Sequence, residues 1–188
     1  MSNLITPEAI LSYPQLFEPK PNMQGALEYS CTLVFESDSD LNELVEAAQK
    51  AGEERFGGKF KDLVAKGQAR MPFKDGEENY GSGTTFIRVK SKAAPGVVDR
   101  YADASGKPRT ISDPDELYPG ARVRASLRPY AYDANGNKGV AFGLNNLQKL
   151  ADGQRIDGRK PATSEFDALE SAAADMDGTS GDLDDLLN

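Results

Sequence analysis

Residues Gly120 to Tyr132 read Gly-Ala-Arg-Val-Arg-Ala-Ser-Leu-Arg-Pro-Tyr-Ala-Tyr, and apolar and polar positions alternate along them almost without a break. A period of two belongs to an extended strand, in which neighbouring side chains point to opposite faces. One face then carries Ala121, Val123, Ala125, Leu127, Pro129 and Ala131. The other carries Arg122, Arg124, Ser126, Arg128, Tyr130 and Tyr132. Such a chain must supply a core for the first row and a use for the second. Guanidiniums for phosphates, interleaved with flat rings for bases, make a platform for single-stranded nucleic acid. The same row also fits the solvated side of a half-buried antiparallel strand, where arginines are ordinary. The strand alone does not choose between the two.

The remaining chain has the same character. Ala9 to Phe17 reads as a strand interrupted by Pro14, hence an edge or bulged strand, with Pro19, Pro21 and Gly25 in the next turn. Leu27, Tyr29, Cys31, Leu33 and Phe35 alternate with Glu28, Ser30 and Thr32 in a strand with one buried face. Asp40 and Glu43 have capping-box spacing. They precede a helix with Leu41, Leu44, Val45, Ala48 and Phe56 inward, stopped by Gly57-Gly58. A shorter helix with Phe60, Leu63 and Val64 ends at Gly67. From Gln68 to Gly83 the pattern lapses into a polar loop holding Arg70, Phe73, Lys74 and Tyr80, a length that is functional or disordered inside a compact domain. Thr84 to Lys92 is a strand that repeats the central arrangement, with Phe86, Arg88 and Lys90 opposite Thr85, Ile87 and Val89. Pro95 to Tyr101 is extended, and Asp113 to Glu116 forms a turn or short helix start. Asn135-Gly136 marks a hairpin from the central strand into Lys138 to Leu150, with Val140, Phe142 and Leu144 on one side.

The chain of 188 residues has a net charge of -8, which argues at first against a polyanionic partner. The distribution reverses that. All 22 Lys and Arg precede residue 161, and 8 of the 30 acids follow it, so residues 1–160 are neutral, with 22 acids against 22 bases. The segment 161–188 is rich in Ala, Ser, Asp and Gly, contains no base and is expected to be a disordered acidic tail. It ends Asp182-Leu183-Asp184-Asp185-Leu186-Leu187-Asn188, leucines among carboxylates suited to docking on a basic, partly apolar pocket. Histidine is absent, which removes imidazole triads and His-containing zinc sites, and the lone Cys31 allows no disulfide within the chain. The N-terminus has no basic signal region and no long apolar run comes after it, so the expectation is a soluble cytoplasmic protein without a membrane span. No phosphate-binding glycine loop is present: Gly81-Ser82-Gly83 lacks the third glycine and precedes a strand. Asp133, Asn135 and Asn137 begin like a calcium loop, but Lys138 and Leu144 stand where its glycine and final acid belong. No residue set suggests catalysis, and neither metal nor cofactor is expected.

Lys90-Ser91-Lys92 through Pro95-Gly96-Val97-Val98-Asp99, Tyr118-Pro119-Gly120 into the central strand, and Gly136-Asn137-Lys138-Gly139 through Phe142-Gly143-Leu144-Asn145-Asn146-Leu147-Gln148-Lys149 are together specific. As a set they resemble phage single-stranded DNA-binding proteins with an OB-fold and an acidic C-terminal tail, over about residues 8–160. The resemblance implies a five-stranded Greek-key barrel with inserted helices, single-strand binding in phage replication or recombination, and a tail that contacts replication or recombination proteins. The alternation itself nominates the contacts: Arg88, Lys90, Arg122, Arg124 and Arg128 for phosphates, with Phe86, Tyr130 and Tyr132 for bases, and Tyr80 and Lys74 from the loop. The alternative is an acidic adaptor or DNA mimic that binds only proteins; it would spread carboxylates over a folded surface rather than gather the excess in one tail.

Overall fold

Alternating strands bury their apolar rows most completely when the sheet closes on itself. The computed structural model describes residues 3–160 and 162–169. In chain order the elements are β1 (Leu4–Ile5), β2 (Ala9–Pro21), β3 (Leu27–Phe35), α1 (Asn42–Phe56), α2 (Phe60–Ala65), β4 (Lys74–Asp75), α3 (Glu77–Tyr80), β5 (Thr85–Ser91), β6 (Gly96–Ala102), β7 (Pro108–Thr110), β8 (Arg122–Ala134), β9 (Asn137–Ala151) and α4 (Ala162–Glu165). Residues 1–157 form one unit and residues 158–188 another, the latter containing α4.

Five strands close the ring. β2 pairs with β3, β3 with β5, β5 runs parallel to β9, β9 pairs with β8, and β8 returns to β2. That order is the five-stranded Greek-key barrel of an OB-fold, with β2, β3, β5, β8 and β9 as its first to fifth strands. Short strands extend it: β1 on β8, β4 on β5, and β6 on β9 with β7 beyond. Each ring strand sends at least one fully enclosed side chain inward: Leu11, Leu33, Ile87, Val123, Leu127 and Phe142 are all 0 % exposed. The apolar rows of the central strand and its neighbours are therefore the barrel core.

Helix α1 packs on β8 and β9 through Leu44 and Ala48. It stops at Gly57, whose φ of 72° lies where only glycine is unstrained, as the sequence predicts. Its start differs. The Asp40 carboxylate accepts from the Asn42 N–H at 3.0 Å and the helix begins at Asn42, so Asp40 lies one residue too early to form a capping box with Glu43.

One further expectation is met and one is revised. Strand β2 is bulged, one of the two forms that Pro14 suggested, and it lies between β3 and β8. Ser12 pairs with Thr32 and Gln15 with Ser30, which leaves Tyr13 and Pro14 together opposite Cys31. The bulge has a core origin. Leu11 and Leu16 are both buried yet stand five residues apart, on opposite faces of a regular strand, and one extra residue restores the parity. The stretch 68–83 is not an unstructured loop. Ala69 is buried, and Arg70 bridges to β9, its N–H donating to the Lys138 carbonyl and its carbonyl accepting from the Val140 N–H. Beyond them, β4 and α3 take up most of residues 74–80. The polar composition hid them because each is too short to show a period. Cys31 is buried as expected, and burial pushes its thiol up to about 12.

Candidate nucleic-acid interface

Paired residues on neighbouring strands share a face, so register decides which side chains meet. Across β3 and β5, Ser30 pairs with Lys90, Thr32 with Arg88 and Val34 with Phe86. Across the parallel β5–β9 pair, Lys90 stands beside Gly143, and Gly143 pairs in turn with Arg128 on β8. Phe86, Arg88, Lys90, Arg128 and Tyr130 therefore lie on one outer face of the barrel. The Tyr130 ring leans over Gly143, where an added Cβ would stand 3.9 Å from its Cε1. Partial burial, and next the negative charge of Glu28, raise the Tyr130 phenol above its ordinary pKa.

The β5 end of this face opens into a groove of about 840 Å³, lined by Lys74, Tyr80, Phe86 and Arg88 together with Ser12 and Tyr13. β4 delivers Lys74 by pairing it with Phe86. The end of α3 delivers Tyr80, whose hydroxyl lies 3.0 Å from the Ser12 hydroxyl and whose ring meets Phe86 edge-on at 5.5 Å. Two residues nominated from the polar stretch thus join two nominated from a strand.

The cations on this face differ in how far they are compensated. Among the described residues, Lys74, Arg88 and Arg128 make no ion pair. Lys90 lies 3.4 Å from the Glu28 carboxylate. Arg122 is half-buried between Glu36 at 2.7 Å and Glu8 at 3.6 Å, and its hydrogen bond holds the Glu36 carboxyl below its usual pKa. Arg124 donates from Nε to the Gln148 side-chain oxygen at 2.8 Å, beside Ile5 and Val98. Arg122 and Arg124 precede a register shift between Ser126 and Leu127, and they face other neighbours than Arg128 does. A strand of 13 residues runs about 40 Å, farther than one side of a small barrel. Tyr132 is half-buried, its hydroxyl against Gly139.

Two residues of this face were not nominated from the sequence. Glu28 brings a carboxylate to Lys90. Tyr13 lines the groove with its side chain 72 % exposed and a backbone φ of 46°. Its signal is Tyr-Pro between two core leucines of opposite parity. The nominated tail residues Asp182 to Leu187 lie outside the described residues. Among the described residues no cluster of three His, Cys, Asp or Glu could hold a metal ion, and no helix is long and apolar enough to cross a membrane.

The fold and this face can be set beside known proteins. The structure of the single-stranded DNA-binding protein from bacteriophage Enc34 in complex with single-stranded DNA superposes with a TM-score of 0.63 at 20% identity, over 82% of this chain and 89% of that one. Another structure of the Enc34 protein gives 0.62 at 20% identity, over 88% and 90%. Bacteriophage T7 gp2.5, a single-stranded DNA-binding protein, gives 0.58 at 18% identity, over 86% and 98%. At these identities the likeness is one of fold. No curated protein sequence matches the chain. A family model described as Enterobacter phage Enc34, ssDNA-binding protein, matches residues 2–177. With nearly its whole length matched, the chain belongs to the family of the Enterobacter phage Enc34 single-stranded DNA-binding protein.

Proposed function

We propose that this chain binds single-stranded DNA with little sequence preference, along the outer face of β3, β5, β9 and β8. The observation that carries the reading is the convergence of Lys74, Tyr80, Phe86 and Arg88 in one groove, with Lys90, Arg128 and Tyr130 on the same barrel face. β3 and β5 are the second and third barrel strands, the face on which OB-folds take oligonucleotides. The Enc34 protein, in its complex with single-stranded DNA, supports the same ligand here. Cations in this arrangement neutralise phosphates without reading sequence, and rings stack on any base. A protein of this kind would cover single strands exposed during phage DNA replication or recombination in the host cytoplasm.

Salt dependence tests the reading. If Lys74, Arg88 and Arg128 each neutralise one phosphate, and Lys90 a fourth by giving up its single 3.4 Å contact with Glu28, log K should fall against log[salt] with a slope of about -3. Titration of a fluorescent oligonucleotide at several salt concentrations measures it, and a slope near zero would remove the hypothesis. Single strand, duplex and RNA in parallel would establish the preference.

The reading extends to the C-terminal segment on charge alone. Residues 161–188 carry the whole net charge of -8. A tethered polyanion competes with DNA at an effective concentration in the mM range for a short flexible linker (about 10⁻³ M). Truncation after Lys160 should therefore tighten single-strand binding, and the gain should shrink as salt screens the competition. DNA that displaces the segment would free Asp182 to Leu187 for a replication or recombination protein. Equal affinities of full-length and truncated protein at low salt would sink the competition. A pull-down with a synthetic Asp182–Asn188 peptide tests the recruitment separately.

A further inference from the structure

The β2 bulge is explained by the core, but the residue placed on it is not. Parity between Leu11 and Leu16 requires one extra residue, and any residue that tolerates a positive φ would serve. Glycine or asparagine occupies φ near 46° with little strain, whereas a bulky side chain there is an outlier. Pro14 adds to the constraint, since proline restricts the residue before it. The position nevertheless holds Tyr13, whose hydroxyl has no hydrogen-bond partner among the described residues. The ring is 72 % exposed and so gains little from packing. Strain retained without a packing return is characteristic of functional positions. In a regular strand, residue 13 would share the inward face of Leu11; the bulge turns it outward to line the groove with Arg88, Lys74 and Thr32.

We propose that Tyr13 is a base-stacking ring held in the groove by the β2 bulge, beside the Tyr80–Phe86 pair that also lines it, with Arg88 of the same groove to take the phosphate. The inference rests on the single-strand reading above and deepens it by adding a contact on a strand whose face pattern gave no hint of one. The groove then offers the rings of Tyr13, Tyr80 and Phe86 and the cations Lys74 and Arg88, with one carboxylate, Asp157, paired to Arg155, so a strand crossing it is held by bases as well as phosphates.

The experiment uses the full chain and a labelled oligothymidylate, comparing wild type with Tyr13→Asn and Tyr13→Phe. Asparagine tolerates the positive φ but has no ring. It should lower affinity by about 5- to 150-fold, the range for loss of one stacked ring, with the salt slope unchanged. The melting temperature should hold or rise, because the strain is relieved. Tyr13→Phe keeps the ring and should retain wild-type affinity. Wild-type affinity in Tyr13→Asn would overturn the inference, as would a loss of affinity that merely tracks a fall in melting temperature. A wild-type protein that binds no single strand would overturn the functional reading itself, a result distinct from either.

Discussion

Val123→Asp is expected to leave the barrel unfolded at room temperature, while Arg124→Ala, one residue along the same strand, leaves it folded. Val123 is 0 % exposed and sits between Ala9 of β2 and Lys149 of β9 in the ladder. Removing the valine forfeits about 1.5–3 kcal/mol of apolar burial. An unpaired carboxylate in that space adds several kcal/mol more, whether it stays ionised or takes up a proton. The sum reaches or exceeds about 4–5 kcal/mol, against a total stability of about 5–15 kcal/mol for a domain of ordinary size. Arg124 is exposed and loses one hydrogen bond to Gln148, which water replaces, for about 1 kcal/mol or less. Far-ultraviolet circular dichroism and urea titration of both variants decide it. A folded Val123→Asp would mean that the inward row is not the core.

That contrast shows what a period of two reveals. Alternation along Gly120 to Tyr132 and along β5 and β9 separates core from surface, because burial itself selects the pattern. In β3 the expectation of one buried face fails, since Ser30 to Phe35 are buried on both faces and Leu27, on the expected inner row, is 60 % exposed. Closure into an OB-fold was legible through the family resemblance, which gives an order of strands that alternation does not contain. Alternation also cannot say which outward residues share a neighbourhood. Arg122, Arg124 and Arg128 stand on one row in the sequence, yet coiling of β8 and its register shift send the first to Glu36 and Glu8 and only the last to the Lys90 face. Tyr13 was hidden for the opposite reason. A bulge breaks the period it would have to be read from, and only the parity of Leu11 and Leu16 records it. Lys74 and Tyr80 were found by composition rather than pattern, since β4 and α3 are only 2 and 4 residues long.

The arginines and the rings should separate cleanly in binding. Arg88→Ala and Arg128→Ala each remove a cation that makes no ion pair among the described residues. Each should weaken single-strand binding on every sequence alike and reduce the magnitude of the salt slope by about 0.7, the loss of one phosphate contact. Tyr130→Ala removes no charge. It should weaken binding by about 1–3 kcal/mol with the slope unchanged, because a stacked base is lost and no counterion is involved. Arg122→Ala is the informative control. Its charge is already matched by Glu36 and Glu8, so its removal should barely alter affinity at moderate salt, and the Glu36 carboxyl should return toward its ordinary pKa. The pairing, rather than the presence of a guanidinium, is what separates Arg122 from Arg88. Oligonucleotide titrations of the four variants over a salt series measure affinity and slope together. If Arg122→Ala lost as much affinity and slope as Arg88→Ala, the single strand would cross the β2–β8 end of the barrel instead of the groove beside β5, and the path of the DNA would have to be redrawn around Glu8, Glu36 and Arg122.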